Sequence, residues 1–275
     1  MSVYRPFVTI FVLVYNNADS LDSTIQSVLQ QTYDNAEVII SDDGSSNYDT
    51  GILETYAEQL RQKYAKVRVN VNEKNVGTVK HLNRVIAMAE GELLFNCCSG
   101  DTFYEETTIS QLVEQFEKSK CKIITARRMD EYADGHTKIR PVPVLGRLLH
   151  DCPHLLINYM IQKKNLLSGC CTFARKSLYE EYGAYDEEYH LVEDYPYYLM
   201  LLLKGVTFGW YGKPAIRHTI GGVSTGRVHP SIYKDIARMR EKLYQGKDNY
   251  GNIFSAKTMR ALEVWHKEYE GSREN

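Results

Sequence analysis

Strand-like and helix-like patterns of apolar residues alternate along the first half of this chain of 275 residues. Val8–Val14 is an almost continuous apolar run, as in a central parallel strand whose two faces are both covered. Residues 21–29 carry apolar side chains at helical spacing, and the next apolar strand lies at Val38–Ile40. Strands that alternate with helices in this way predict an α/β fold with a mostly parallel, doubly wound sheet.

The same reasoning predicts the later elements. We expect helices over Thr50–Lys63, Gly77–Ala89, Glu105–Lys118, Leu155–Lys164, Ser177–Tyr182 and Tyr195–Lys204, and strands over Val67–Val71, Leu93–Asn96, Cys121–Ala126 and Val206–Tyr211. The glycines and prolines of Asp130–Leu149 predict an irregular excursion near a ligand site. The chain is charged and helical from about Pro230. We therefore expect one α/β domain over residues 1–225 and a C-terminal helical extension over residues 226–275.

Composition and charge exclude several classes of protein. The chain is 43% hydrophobic and 25% charged, which is typical of a globular domain. Its net charge of -2 argues against a general nucleic-acid binder, which needs a basic face. The longest apolar helix candidate ends at Lys204 and falls short of the ~20 residues that span a bilayer. With no visible signal peptide, the sequence predicts a cytoplasmic protein without a nucleic-acid partner.

The six cysteines predict buried, reduced thiols. They are Cys97, Cys98, Cys121, Cys152, Cys170 and Cys171. None belongs to a Cys-x-x-Cys pair, and the two adjacent pairs are poorly arranged for a zinc site. Their apolar surroundings are typical of packed thiols in a reducing compartment.

Short polar motifs follow the buried strands. Tyr15–Asn17 follows the first strand, Ser41–Ser45 ends the second, Asn75–Gly77 opens a helix, and Ser99–Asp101 follows a later strand. Ligands of open parallel sheets bind beyond the carboxyl ends of the strands. We therefore expect these motifs to meet in one ligand site.

The adjacent carboxylates of Asp42 and Asp43 need partners because like charges repel. A carboxylate at this strand end can accept a hydrogen bond from the imide N–H of a nucleobase, and Gly44 lets the chain turn away. A plain turn that caps the next helix is the alternative. Lys80 lies in the first turn of its helix, where backbone amides favour anions. Its alternative is a solvated helix face, with Asn75 as a cap.

Two further places offer chemistry of their own. Asp101, with Gly100 allowing close approach, can bind a divalent cation that also contacts a diphosphate. Glu193 and Asp194 open a helix, and one of them can take the proton of an attacking hydroxyl as a general base. His218 can complete a metal shell. Asp101 could instead be an ordinary turn residue. Glu193 and Asp194 could simply be acids that interact favourably with the helix dipole, and His218 could be a surface histidine.

In combination, these motifs resemble glycosyltransferase family 2 over roughly the first 225 residues. The resemblance rests on Tyr15-Asn16, Asp42-Asp43-Gly44-Ser45, Asn75-Val76-Gly77, Ser99-Gly100-Asp101, Gly183-Ala184-Tyr185-Asp186, Glu193-Asp194 and Arg217-His218. It implies the A-type nucleotide-diphosphosugar transferase fold. It also implies an inverting, Mn²⁺- or Mg²⁺-assisted transfer by direct displacement, from a donor that is preferably a UDP-sugar. The acceptor would be a saccharide or a lipid-linked sugar of bacterial surface polysaccharide synthesis.

The resemblance also assigns roles by position. The donor nucleotide would be bordered by Val14, Tyr15, Asn16, Asp42, Asp43, Asn75, Gly77, Lys80, Ser99 and Gly100. Asp42 would accept the N–H of uracil. Asp101 would be the principal metal ligand, and His218 a further metal ligand or a diphosphate contact. From the sequence alone, Arg217 beside His218 could also face the diphosphate. Asp194 would be the general base, with Glu193 making loop or acceptor contacts.

Two departures from the family pattern leave alternatives open. The first departure is in the metal motif, where the family usually has an acid in place of Ser99 and often another in place of Thr102, so that only Asp101 remains. This reduced motif motivates a second hypothesis, a nucleotide-sugar-binding module without transfer activity. A third, a nucleotidyltransferase, would need a glycine- and lysine-rich loop in place of Tyr15–Ala18. The second departure is the tail beyond Pro230, where the resemblance stops. Its basic helices, with Lys234 and Arg238, could form a homodimer, cover the acceptor or contact the inner face of the membrane. Ordinary packing is their alternative.

Overall fold

The computed structural model describes residues 4–220 and 229–273. In these ranges the strands are β1 (Val8–Val14), β2 (Ala36–Asp42), β3 (Lys66–Val71), β4 (Leu93–Cys98), β5 (Thr102–Phe103), β6 (Ile123–Glu131), β7 (Thr137–Arg140), β8 (Thr172–Arg175) and β9 (Phe208–Thr219). The α-helices are α1 (Leu21–Leu29), α2 (Ile52–Arg61), α3 (Thr78–Met88), α4 (Thr108–Ser119), α5 (Val144–Asp151), α6 (Pro153–Gln162), α7 (Lys176–Tyr182), α8 (Asp194–Leu203), α9 (Pro230–Gln245) and α10 (Ala256–Arg273).

All these strands join one sheet, in the order β3-β2-β1-β4-β8-β6-β9-β5, with β7 beside β6. The longest ladders, β1 with β2 and β4, β2 with β3, and β6 with β9, are parallel, whereas β8 runs antiparallel to β4 and β6. In register, Val14 pairs with Asp42, and Asp42 pairs with Val71. The carboxyl ends of these strands are therefore level, and the prediction of a mostly parallel α/β sheet is confirmed.

Helices cover both faces of the sheet. Ile10 and Val12 of β1 point into a core shared with α1, α2 and α4, while Phe11 between them packs in a second core with α3 and α8. All three are nearly or fully buried. Full burial of one such side chain contributes about 1.5–3 kcal/mol, and this alternation explains why β1 reads as a continuous apolar run.

The excursion predicted over Asp130–Leu149 is more regular than expected. β6 continues to Glu131, turns through Gly135 at a φ of +85° and returns as β7, and α5 follows from Val144. β7 carries no apolar alternation because its side chains are largely exposed. The strand predicted over Val206–Tyr211 is also longer, because β9 extends to Thr219 past a register shift.

The C-terminal helices pack against the α/β body. Met239 and Leu243 of α9 and Leu262 of α10 are buried in the core that also holds Leu156 of α6 and Leu199 of α8. The boundary expected between residues 225 and 226 lies outside the described residues. Among those residues, no helix has an apolar stretch long enough to cross a membrane.

Candidate functional site

The second carboxylate of the Asp-Asp pair ties three strand ends together. Asp43 is buried, and its backbone N–H donates to the carbonyl of Val14 at 2.9 Å. Its carboxylate accepts hydrogen bonds from the side chain of Asn72 at 2.8 Å and from the backbone N–H groups of Val76 and Gly77 at 3.0 and 3.1 Å. Asp43 therefore fixes the turn before α3 against the ends of β1 and β2.

The first carboxylate holds its own loop. Asp42 is fully buried and accepts hydrogen bonds from the backbone N–H and hydroxyl of Ser45, at 2.8 and 2.5 Å, and from the Tyr48 hydroxyl at 2.5 Å. Burial and then this hydrogen bond raise the pKa of Tyr48, so the phenol stays a donor. Because the carboxylate is fully buried, a nucleobase can reach it only if this loop moves.

The turn after β1 is fastened to the same loop. Asn16 has a φ of +50°, a conformation that asparagine tolerates better than most residues. Its backbone N–H donates to the Ser45 hydroxyl at 2.7 Å, and its side-chain oxygen accepts from the Ser46 N–H at 3.1 Å. Tyr15 beside it is 47% exposed, so its ring forms part of the rim of the site.

The turn before α3 requires glycine. Gly77 has a φ of +88°, and a Cβ there would lie 2.4 Å from the imidazole ring of His190. The side-chain oxygen of Asn75 accepts from the Gly77 N–H at 3.0 Å, so Asn75 stabilises this turn locally. Lys80 is exposed on the first turn of α3 and has no ion pair with any described residue.

A second group forms at the end of β4. The hydroxyl of Ser99 donates to the carbonyl of Asn17 at 2.6 Å, and the Asn17 side chain donates back to the Ser99 carbonyl at 2.8 Å. Gly100 has a φ of +97°, and the Thr24 hydroxyl donates to the carbonyl of Asp101 at 2.7 Å. Ser99 therefore holds the loop that presents Asp101, and Asn17 joins this group to the turn after β1.

Asp101 and His218 meet although 117 positions separate them in the chain. The Asp101 carboxylate is buried and lies 2.7 Å from Nδ1 of His218, which β9 delivers. Burial alone lowers the pKa of His218, but the hydrogen bond and charge of Asp101 outweigh it and raise the pKa. Arg217 lies on the other face of β9, over the ring of Tyr104, so it is not beside a diphosphate bound at His218.

The residues at this point fit a divalent cation. Nε2 of His218 is buried and has no hydrogen-bond partner in the described part of the chain. The sulfur of Cys170 joins the cluster, because one ligand atom each of Asp101, Cys170 and His218 lie within 4.8 Å of one another. Carboxylate, imidazole and thiolate are ordinary protein ligands of divalent metals. A cluster of these three groups, one of them with an unpartnered nitrogen, therefore suits a metal ion.

The acid pair stands on the first turn of α8. The Asp194 carboxylate accepts a hydrogen bond from the backbone N–H of Gly169 at 3.0 Å. Burial raises the pKa of Asp194 to about 6, and burial together with the neighbouring charge of Asp194 raises the pKa of Glu193 further. Since Gly169 immediately precedes Cys170, the acid pair lies next to the Asp101–Cys170–His218 cluster.

The segment before Asp194 is held by α9. The buried carboxylate of Asp235 accepts hydrogen bonds from the backbone N–H groups of His190, Leu191 and Val192 at 2.9, 2.7 and 3.0 Å. Three charge-assisted hydrogen bonds to one carboxylate fix a loop firmly. The C-terminal extension thus positions the loop that leads into the acid pair.

Sequence reasoning missed several polar residues of the site. Tyr48 and Asn72 act through loop contacts that no local pattern reveals. Arg128, which lies 3.6 Å from the Cys170 sulfur, breaks the apolar run of β6, and this interruption was a usable signal. Asp235 offered a clearer one, since it is an acid on the apolar stripe of α9.

Comparison with known proteins identifies the family of the chain. The sequence model described as Glycosyl transferase family 2 matches residues 9–183. An uncharacterized glycosyltransferase of Rickettsia felis is 28% identical over 206 residues, which are 74% of this chain and 32% of that relative. The chain therefore spans about a third of the length of this curated relative.

Solved structures show the same fold. Staphylococcus aureus TarS 1–349 in complex with UDP-GlcNAc has a TM-score of 0.64 at 17% identity, covering 95% of this chain and 71% of that one. The mannosyltransferase PcManGT from Pyrobaculum calidifontis, in complex with GDP-Man and Mn²⁺, has a TM-score of 0.65 at 14% identity, covering 95% and 74%. The expected A-type architecture is thus confirmed, and because the family model matches well over half of the sequence, this chain belongs to glycosyl transferase family 2.

Proposed function

We propose that the chain is an inverting glycosyltransferase that moves a sugar from a nucleoside-diphosphate sugar to a saccharide or lipid-linked acceptor. The observation that carries this proposal is the meeting of three groups at one edge of the sheet: the turns held by Asp43, the Asp101–His218 pair, and the acid pair of α8. Family membership supports the same activity.

The nucleotide would lie against the turns after β1, β2 and β3. Tyr15 offers an exposed aromatic surface to a base, and the loops held by Asp42 and Asp43 form a rigid wall. Asp42 would accept the imide N–H of uracil in exchange for one of its loop donors, which favours UDP. TarS, a protein of the same fold, binds UDP-GlcNAc, whereas PcManGT binds GDP-Man, so the base is a point to test.

Asp101 and His218 would hold a divalent cation beside the donor diphosphate. Asp101 supplies a buried carboxylate, and Nδ1 of His218 lies 2.7 Å from it, so the two could bind one ion. When bound, such a cation neutralises charge on the leaving diphosphate. PcManGT was solved with Mn²⁺, which supports the choice of metal.

Asp194 would act as the general base. The Gly169 N–H orients its carboxylate, and a pKa of about 6 leaves it ionised near neutral pH but more basic than an ordinary aspartate. As the acceptor oxygen bonds to the anomeric carbon, its proton passes to Asp194 and the bond from that carbon to the diphosphate oxygen breaks. Glu193, whose pKa is raised further, stays largely protonated at neutral pH and can donate a hydrogen bond.

The test is an Asp194→Asn variant assayed for nucleotide binding and for sugar transfer in parallel. We expect unchanged UDP affinity and a loss of turnover of about 10²–10⁴-fold, the usual contribution of a general base. Asp186→Asn, a change of an acid in the same loop that pairs with Lys242 instead, serves as the control and should keep full turnover. If the wild type turned over no donor at all, the nucleotide-sugar-binding module would be the better description.

The cellular setting follows from the family resemblance alone. We infer that the enzyme works in the cytoplasm on bacterial surface polysaccharide, close to a lipid-linked acceptor. Membrane contact or dimerisation through α9 and α10 would use their outer faces, where Tyr233 and Val264 are more than half exposed. Sedimentation with and without anionic vesicles tests both ideas.

A further inference from the structure

We propose that Cys170 is a third protein ligand of the cation site, and that its thiolate makes the site favour Zn²⁺ and Co²⁺ over Mg²⁺. The inference deepens the proposed function, on which it rests for the identity of the Asp101–His218 site. It adds a ligand that the family resemblance does not supply.

The first argument is distance. The ligand atoms of Asp101, Cys170 and His218 all lie within 4.8 Å of one another. Metal bonds of about 2.0–2.3 Å to nitrogen, oxygen and sulfur place ligands about 3–4 Å apart in a tetrahedral site. Shifts of an ångström or less would therefore let these three atoms share one ion.

The second argument is that the ligand-bearing segments are fixed. Gly169, next to Cys170, is held by two hydrogen bonds. Its backbone N–H donates to the Asp194 carboxylate, and its carbonyl accepts from the side chain of Asn96 at 3.1 Å. The Thr172 hydroxyl donates to the carbonyl of Ser168 at 2.8 Å. The short segment that carries Cys170 is therefore preorganised, which a metal site needs.

The third argument concerns the choice of thiol. Cys171 points elsewhere, since its sulfur donates to the carbonyl of Ala126 at 3.4 Å, and Cys97 likewise donates to the carbonyl of Asp101 at 3.4 Å. Cys170 instead lies 3.6 Å from the guanidinium of Arg128. Of these three thiols, it is Cys170 whose sulfur lies in the cluster with Asp101 and His218.

The fourth argument is the short contact between two of the ligands. Nδ1 of His218 lies 2.7 Å from the Asp101 carboxylate, so an ion that takes the place of the proton shared by these two atoms is bound by both residues. Ser99 takes no part, because its hydroxyl is bonded to the carbonyl of Asn17. Cys170 thus stands in for the acid that the family usually has at the position of Ser99, and a thiolate selects softer ions than a carboxylate.

The experiment titrates the purified full chain with Co²⁺ and records the near-ultraviolet charge-transfer absorption of a cobalt–thiolate bond. We expect this band in the wild type and in a Cys98→Ser control, saturating at one ion per chain, and its loss in Cys170→Ser. Competition with Zn²⁺ should show at least about a tenfold weaker affinity in Cys170→Ser, with Mg²⁺ affinity changed less than about twofold. A wild type without the band, or a Cys170→Ser protein that keeps it, would overturn the proposal.

A second readout needs no variant. Zn²⁺ should slow the alkylation of Cys170 by iodoacetamide, mapped by mass spectrometry, and leave the labelling of Cys152 unchanged. An unchanged rate at Cys170 under saturating Zn²⁺ would contradict the ligand. If the protein transfers sugar with Mg²⁺ but shows no cobalt–thiolate band, Cys170 is not a ligand and the proposed function stands. If the band appears but no sugar is transferred, Cys170 is a ligand and the proposed transferase activity is rejected.

Discussion

At the scale of single residues, the site is built from groups held in unfavourable states. Glu193 and Asp194 are adjacent acids whose pKa values are raised by burial, and Gly77 has a backbone conformation that other residues avoid. Such features lower stability and persist where function requires them. Each makes a measurable prediction.

The raised pKa of Glu193 predicts that its ionisation destabilises the fold. The folded protein binds more protons than the unfolded chain between the ordinary glutamate pKa and about 8, so this contribution to stability is present at low pH and is lost as pH rises through that window. Glu193→Gln cannot ionise. Its melting temperature should exceed that of the wild type by several degrees at pH 8.5 and by much less at pH 5.5; an equal difference at both would refute the assignment.

The proposed general base predicts that the rate of sugar transfer falls as the pH is lowered. Because Asp194 must be ionised to accept a proton and its pKa is about 6, kcat/KM should fall about tenfold per pH unit below pH 6. UDP affinity measured over the same range separates catalysis from binding. A fall near pH 4, the ordinary range of aspartate, would argue against Asp194 as the base.

At the turn before α3, a side chain in place of Gly77 would both strain the backbone and clash with His190. Gly77 and Gly183 have almost the same backbone, with φ and ψ of 88° and 156° against 85° and 162°. A Cβ on Gly77 would meet His190, whereas one on Gly183 would meet nothing within 4 Å. Gly183→Ala should cost about 1–3 kcal/mol of folding free energy. Gly77→Ala should cost more and also weaken UDP binding, and His190→Ala in the same chain should recover part of the loss.

At the scale of elements, the predictable strands were those buried on both faces. β1 is an almost continuous apolar run, and β2 and β4 contain the shorter runs 38–40 and 93–95, so hydrophobicity is enough to find these strands. β8 has four residues and β7 is exposed, and neither shows a period that sequence can reveal. The same limit applies to the site: the motifs after parallel strands were visible, but Cys170 reaches Asp101 only through the antiparallel β8.

Helix α9 predicts an effect on catalysis from outside the α/β body. Asp235 is a positioning residue, since it holds the three N–H groups before Glu193 and touches none of the proposed reacting atoms. Asp235→Ala should cost about 1–3 kcal/mol of stability and lower kcat severalfold, with UDP affinity kept. Asp235→Asn should recover part of kcat, and Lys234→Ala on the exposed face of α9 should leave it unchanged. Loss of UDP affinity parallel to kcat would point to general unfolding instead.

At the scale of the whole molecule, one sheet with level strand ends gathers residues from the first and last parts of the chain. The Asp101–His218 contact joins β4 to β9, and Asp235 joins α9 to the acid pair. Sequence motifs located the parts of this arrangement. The distances between these residues depend on the antiparallel half of the sheet and on the packing of the C-terminal helices. Neither can be predicted from a local sequence pattern.

The most direct test of the central claim is a thermal-shift comparison of UDP, GDP, dTDP and CMP, each with and without Mn²⁺, on the wild type and Asp101→Asn. Ligand at about 100 times its dissociation constant adds about 2.7 kcal/mol of stability, a readily visible shift. The account predicts a shift with UDP that grows with Mn²⁺ in the wild type, and loss of only the Mn²⁺-dependent part in Asp101→Asn. No shift with any of the four nucleotides would contradict it.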